Sequence, residues 1–251
     1  MKHAGELIKG IDVCTEEQWI LFCFPFAGGG ASAFYSWKKF LPEYTPICPI
    51  QLPGREERIT EKPYTDMRIL ITDLKKEIMD RNPPKIVLFG HSMGAKIAYE
   101  VAKELEKEKV IPKLLIVSGS RPPYMKEPNP IYHLSDRDFK AGLGRFEGTP
   151  KEIMENEELL DFFLPMLRAD FTIDETYQVK ELKKLECPLI ALGGLRDHEA
   201  DEEMIRGWSG FTKGNFESRM FSGGHFFIRE SEEEVLRYIK DKIEEYHNGT
   251  D

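Results

Sequence analysis

The sequence predicts an α/β fold built on a mostly parallel sheet, and three observations carry that reading. Short, near-continuous apolar runs recur along the chain, as strands buried on both faces require. Amphipathic helical stretches alternate with them, which implies right-handed βαβ crossovers. One stretch of about fifty residues breaks the rhythm with helical patterns alone, too long for a plain loop between strands.

Taken in order, residues 1–16 are mixed and polar without a clear period, and read as an N-terminal extension to a single domain spanning 17–251. Trp19-Ile20-Leu21-Phe22-Cys23-Phe24 is the first strand, closed by Pro25 and the glycines 28 to 30. Further runs follow at Ile47 to Ile50, Ile86 to Phe89, Leu114 to Val117 and Leu189 to Leu192, with a weaker one at Phe216 to Phe221. Met67, Leu70, Ile71, Leu74 and Ile78 form a helical stripe stopped by Pro83-Pro84. Ile97, Ala98, Val101, Ala102 and Leu105 form a second stripe. The last helix carries Val235, Leu236, Ile239 and Ile243, and Ser231-Glu232-Glu233-Glu234 predicts a capping box at its start. Between about 124 and 174 the large apolar residues, Phe139, Leu143, Phe162, Phe163 and Leu167 among them, predict a helical lid over one edge of the sheet.

Composition limits the function. The chain has 251 residues, enough for a sizeable core, and 35 basic against 44 acidic residues give a net charge of -9. Such a charge repels a phosphate backbone, so no nucleic-acid partner is expected. The longest apolar stretch, Trp19 to Ala27, is too short to span a bilayer, and no secretory leader pattern opens the chain. A cytoplasmic protein without membrane attachment is the expectation. The four cysteines, Cys14, Cys23, Cys48 and Cys187, show neither CxxC nor zinc spacing and read as reduced core residues.

The sharpest chemical signal is Gly90-His91-Ser92-Met93-Gly94, a G-x-S-x-G pattern between a buried strand and an amphipathic helix. A tight strand-to-helix turn lifts the serine clear of the sheet, and the flanking glycines leave room for it. Such a serine needs a base, and the base an orienting carboxylate. Of six histidines, His225 follows the last strand and is best placed, with His198 as competitor. Asp197 follows another strand, with Asp170, Asp174 and Asp201 as rivals and helix capping as its ordinary alternative. The order Ser92, Asp197, His225 is that of an α/β-hydrolase fold. For the oxyanion, the backbone N–H groups of Met93 and Ala27 are the candidate donors, with Phe26 as alternative to Ala27. Gly28-Gly29-Gly30-Ala31-Ser32-Ala33 also satisfies a dinucleotide fingerprint, but the next strand ends in Gln51 where an acid is wanted. No cofactor or metal is expected.

At this point the chain resembles the type II, external thioesterases that accompany nonribosomal peptide and polyketide synthases. Five segments in order carry the resemblance: Phe24-Pro25-Phe26-Ala27-Gly28-Gly29, Pro53-Gly54-Arg55-Glu56-Glu57-Arg58, the Ser92 elbow, Leu164-Pro165-Met166-Leu167-Arg168-Ala169-Asp170-Phe171, and Gly223-Gly224-His225-Phe226-Phe227. It implies Ser92 as nucleophile, Asp197 as orienter and His225 as base. It also implies hydrolysis of stalled or wrongly primed acyl groups on the phosphopantetheine arm of carrier domains, with a small-molecule carboxylesterase or lipase as the competing reading. A monomer is the expectation. Because carrier proteins are usually acidic, a local basic rim is expected for docking, with Arg55, Arg58, Arg121 and Lys126 as candidates by loop position.

Overall fold

In the computed structural model, which describes residues 6–10, 15–146, 148, 151–179 and 181–249, each apolar run becomes a strand of one sheet. The strands are β1 (Trp19–Phe24), β2 (Ile47–Pro49), β3 (Lys85–His91), β4 (Leu114–Ser118), β5 (Leu189–Gly194) and β6 (Phe216–Phe221). They lie in the order β2-β1-β3-β4-β5-β6, and every pairing is parallel. Among the described residues the α-helices are α1 (Met67–Asp80), α2 (Met93–Lys107), α3 (Asp136–Leu143), α4 (Lys151–Met154), α5 (Glu157–Thr176), α6 (Glu202–Gly207) and, after the last strand, α7 (Phe227–Glu230) and α8 (Glu232–Asn248).

The strands are apolar on consecutive positions because both faces of the sheet are covered. Ile20, Phe22 and Phe24 of β1 face a core that includes Leu70 and Leu74 of α1 and Ile97 and Val101 of α2. Trp19, Leu21 and Cys23 point the other way, into a core with Phe34 and Trp37 of a 3-10 helical segment (Ala31–Lys39) and Val235 and Ile239 of α8. Burying each such side chain is worth about 1.5–3 kcal/mol. Register places Phe24 opposite Gly90, His91 opposite Ser118, and Gly194 opposite Phe221, so these carboxyl ends line one rim. The chain order turns back at β1, which has β2 on one side and β3 on the other, and a parallel sheet opens its ligand crevice at such a reversal.

Helices α3, α4 and α5 all fall between β4 and β5, and they carry an apolar cluster of their own. Ile131, Phe139, Leu143, Leu160, Leu164, Met166, Leu167 and Phe171 are its buried members. Pro165 sits inside α5, where it removes one backbone donor from the helix ladder.

Two local features differ from sequence expectation. The polar-looking extension buries Leu7 and Ile8, and Ile8 bridges Ile50 in antiparallel sense beside the edge strand β2. Glu77 of α1 fixes this segment by accepting the N–H groups of Leu7 and Ile8 at 2.8 and 2.9 Å. The capping box at Ser231 does not form. Helix α7 runs straight into that residue, whose N–H donates to the Phe227 carbonyl and whose hydroxyl donates to the Ser222 carbonyl at 2.7 Å, so no side-chain cap remains for α8. Cys23, Cys48 and Cys187 are buried free thiols, and burial pushes the Cys23 and Cys187 thiols up; Cys14 lies outside the described residues. Among the described residues no helix is long and apolar enough to cross a membrane.

Candidate active site

Strand β3 delivers His91 to the rim, and the chain turns into α2 within one residue. That residue, Ser92, adopts φ 57° and ψ −120°, a region side chains rarely occupy. Its N–H is tied to the Ser118 carbonyl at the end of β4, 2.8 Å away. The turn is so tight that a Cβ on Gly90 would fall 2.0 Å from the Gly94 carbonyl oxygen. Strain of this kind is stored where a nucleophile must be lifted from a sheet.

His225 stands in the turn after β6, and its Nε2 lies 3.0 Å from the Ser92 hydroxyl. Its Nδ1 lies 2.9 Å from Oδ2 of Asp197, in the turn after β5. Asp197 is buried, and its other oxygen accepts the N–H groups of Glu199 and Ala200 at 2.8 and 3.2 Å. Helix α6 is capped instead by Asp201, whose side chain accepts from Met204 N–H, so the ordinary capping role does not fall to Asp197. The other rivals are committed elsewhere: Asp170 to Arg55, Asp174 to Lys96 at 2.7 Å, while His198 is exposed.

Met93 opens α2, so its amide stands at the positive end of the helix dipole. Ala27 lies in the loop after β1, which neighbouring side chains hold at several backbone groups. Gly28 N–H donates to Asp170 Oδ2 at 2.7 Å, Ala31 N–H to Gln51 Oε1 at 2.9 Å, and Arg55 donates to the Gly29 carbonyl at 3.0 Å. Phe26 packs edge-on to Phe226 at 4.8 Å, with the Arg229 guanidinium over its ring. Gln51 spends its amide on the carbonyls of Leu52 and Arg55, so the end of β2 offers no acid to a ribose and the dinucleotide reading has no support.

Two cavities flank this centre. One, of about 30 Å³, touches Ser92 and His225 and is walled by Lys96, Arg121, Glu127 and Glu199. The other, of about 350 Å³, lies between Gly28 and the lid residues Ile153, Phe163, Met166 and Leu167, and is mainly apolar.

Three of the four residues expected to form a basic rim are buried. Arg55 and Arg58 are each 3% exposed and Arg121 is 7% exposed, and all three are neutralised by carboxylates. Arg58 is held by Glu61, the Gln51 carbonyl and the Glu6 carbonyl, and Arg121 by Glu127 and Glu199. A charge is buried only with such partners, so these loop arginines brace the site rather than face solvent; Lys126 alone of the four is exposed.

Sequence reasoning missed two buried arrangements. Arg55 and Asp170 form a two-pronged pair, with nitrogen–oxygen distances of 2.6 and 2.7 Å, although each residue stood in a motif of its own. Lys96, one turn past Ser92 on α2, is almost fully buried and donates to the Asp174 carbonyl at 3.0 Å. A lysine within an amphipathic stripe gives no local sign of burial.

A hydroxyl, an imidazole and a carboxylate in hydrogen-bonded line, on an α/β-hydrolase fold, define a serine-hydrolase class. Residues 19–243 match the thioesterase domain family. The chain is 39% identical over 240 residues to linear gramicidin dehydrogenase LgrE of Brevibacillus parabrevis, covering 94% of this chain and 91% of that protein. Among solved structures it resembles RedJ, the thioesterase of the prodiginine pathway in Streptomyces coelicolor, at 35% identity and a TM-score of 0.83 over 89% of each chain. It also resembles BorB, a type II thioesterase from the borrelidin biosynthetic cluster, at 31% identity and a TM-score of 0.84, covering 98% of this chain and 100% of that one. The chain belongs to the thioesterase family, and it is a hydrolase of thioesters.

Proposed function

We propose that this thioesterase removes aberrant or stalled acyl groups from the phosphopantetheine arm of carrier domains in a peptide or polyketide synthase, acting in the cytoplasm as a monomer. The observation that carries the reading is the unbroken line Asp197–His225–Ser92, beneath a lid whose apolar cavity begins at the loop after β1. Its likeness to BorB, a type II thioesterase from a biosynthetic cluster, supports the substrate class.

In this mechanism the Ser92 hydroxyl attacks the thioester carbonyl while His225 Nε2 takes its proton. The N–H groups of Met93 and Ala27 receive the oxyanion, each donor being worth about 3 kcal/mol to the transition state. Asp197 holds the ring so that Nδ1 keeps its hydrogen and Nε2 is free to accept one. Collapse of the tetrahedral adduct breaks the C–S bond and releases the pantetheine sulfur as thiolate. That is a good leaving group, so acylation needs little acid assistance. Once the thiolate has taken the proton from His225 Nε2 and the ring is neutral again, water adds to the acyl-serine ester, giving its proton to His225, which returns it to the serine oxygen as the acid departs.

The test is to present acetyl- and aminoacyl-loaded carrier proteins, and the matching simple oxygen esters, to wild type and Ser92→Ala. Wild type is expected to prefer the carrier thioesters, and Ser92→Ala to lose activity on the order of 10⁶-fold. Equal rates for the two proteins would remove Ser92 as nucleophile. A preference for oxygen esters would favour a small-molecule carboxylesterase.

A further inference from the structure

We infer that Asp170 of the lid helix is a positioning residue for the oxyanion loop, so that the seat of helix α5 sets the geometry in which Ala27 N–H meets the reacting oxygen. The inference rests on the thioesterase mechanism above and adds to it a residue that touches no substrate atom.

The loop after β1 is one turn, closed by Gly29 N–H donating to the Phe26 carbonyl at 2.9 Å across Ala27 and Gly28, and the seat of that turn depends on which side chains grip its backbone. Gln51 and Arg55 reach it from the loop after β2, at Ala31 N–H and the Gly29 carbonyl, and Glu56 binds the Ser32 hydroxyl. These grips all lie on the far side of Gly28. The peptide unit that follows Ala27 is fixed by its own N–H, at Gly28, and that N–H donates to Asp170 Oδ2 at 2.7 Å. Gly28 has φ +81°, so the peptide between Ala27 and Gly28 is the central one of the turn and can flip with the closing Gly29–Phe26 bond intact unless its N–H is held. The same Oδ2 takes the Arg55 Nη1 at 2.6 Å, and Oδ1 takes Nη2 at 2.7 Å, so the carboxylate is clamped in the plane of a guanidinium. Both side chains are at most 4% exposed.

Helix geometry explains why this reaches the lid. Residues two apart stand about 200° apart around a helix, so Arg168 and Asp170 point to opposite sides of α5. Arg168 grips the lid, donating to the Tyr132 and Leu134 carbonyls at 2.7 and 2.8 Å. Asp170 grips the catalytic loop. A Cβ on Gly28 would also sit 2.9 Å from the Leu167 side chain, so α5 presses on that residue from two positions. The helix that covers the acyl cavity is thereby the one that orients an oxyanion donor.

The experiment measures kcat, KM and the affinity for an acyl trifluoromethyl ketone, whose serine adduct places an oxyanion in the same hole. Asp170→Asn is expected to lower kcat by about 30-fold, less than the ~10²–10³-fold that loss of a donor itself costs. KM should stay within about twofold, and ketone affinity should fall in proportion to kcat. The double variant Arg55→Met with Asp170→Leu replaces the buried pair by apolar groups, a change that typically leaves stability intact. It serves where the single variant unfolds. It is expected to fold, to retain substrate binding and to lose kcat by at least as much. A folded variant of either kind with wild-type kcat and ketone affinity would overturn the inference, as would a loss confined to KM. Wild-type turnover of the carrier thioester is scored separately, so failure of the proposed reaction is not mistaken for failure of the positioning role.

Discussion

A Cβ placed on Gly94 would fall 2.1 Å from the carbonyl oxygen of Phe24, so the first turn of α2 rests directly on the end of β1. The nucleophile turn and the loop that supplies Ala27 therefore share one contact, and neither can shift without the other. Gly94→Ala is expected to cost about 1–3 kcal/mol, the usual range for overpacking against backbone. It should also depress kcat, because Met93 N–H and Ala27 N–H would move apart. Urea unfolding beside steady-state kinetics checks this; a variant as stable and active as wild type would show that the contact relaxes freely.

Asp197→Asn should preserve the fold and remove the activity. The amide is nearly isosteric, and its oxygen can still accept the N–H groups of Glu199 and Ala200. Its NH₂ would then face Nδ1 of His225, which must become an acceptor, and the ring hydrogen moves to Nε2. In that tautomer the ring cannot take the Ser92 proton. A fall in kcat on the order of 10³–10⁴ is expected, with KM little changed. Retention of activity within about tenfold would assign the orienting role elsewhere.

His91 is expected to remain neutral. It is fully buried behind Ser92, with its ring centroid 5.2 Å from that of His225, and Nδ1 lies 2.9 Å from the Ser118 hydroxyl. Burial, then the nearby His225 and Arg229, hold its pKa well below the ordinary histidine range. A neutral ring here matters because a charged one would oppose the imidazolium that His225 must form. In a proton NMR titration the His91 ring signal should show no inflection between about pH 5 and 8, where an ordinary histidine titrates. An inflection in that window would contradict the assignment.

Much of the fold was legible because the signal is local. Strands covered on both faces are apolar on consecutive positions, and β1, β3, β4 and β5 read plainly for that reason. The strand-end positions of Ser92, Asp197 and His225 follow once those strands are placed. What was not legible depends on partners far along the chain. Arg55 meets Asp170 across 115 residues and Arg121 meets Glu199 across 78, so loop arginines that read as an exposed rim turn out to be buried braces. Ser231 failed as a cap because helix α7 arrives directly before it, and Leu7 and Ile8 gave two apolar residues where a period needs more.

Glu175, near the end of α5, should make stability fall as pH rises through the weakly acidic range. Its carboxyl is pushed up to about 7, first by burial, with Asp174 and Glu127 adding to the rise and the N–H groups of Tyr132 and Ile131 opposing it. Oε2 accepts both of those N–H groups at 2.8 Å, while Oε1 is buried without a hydrogen-bond partner. The folded chain holds this proton up to about pH 7, whereas the unfolded chain releases it near the ordinary value of 4.5. Between those limits the folded state binds more protons, so stability present below 4.5 is lost as pH rises toward 7. Glu175→Gln removes the titration and keeps an oxygen for both N–H groups. After allowance for partial solvent exposure it should be more stable than wild type at pH 8 by about 1 kcal/mol. The difference should vanish at or below 4.5. Urea unfolding at both pH values measures it, and a variant less stable than wild type at pH 8 would mean that the lid relies on the charged carboxylate.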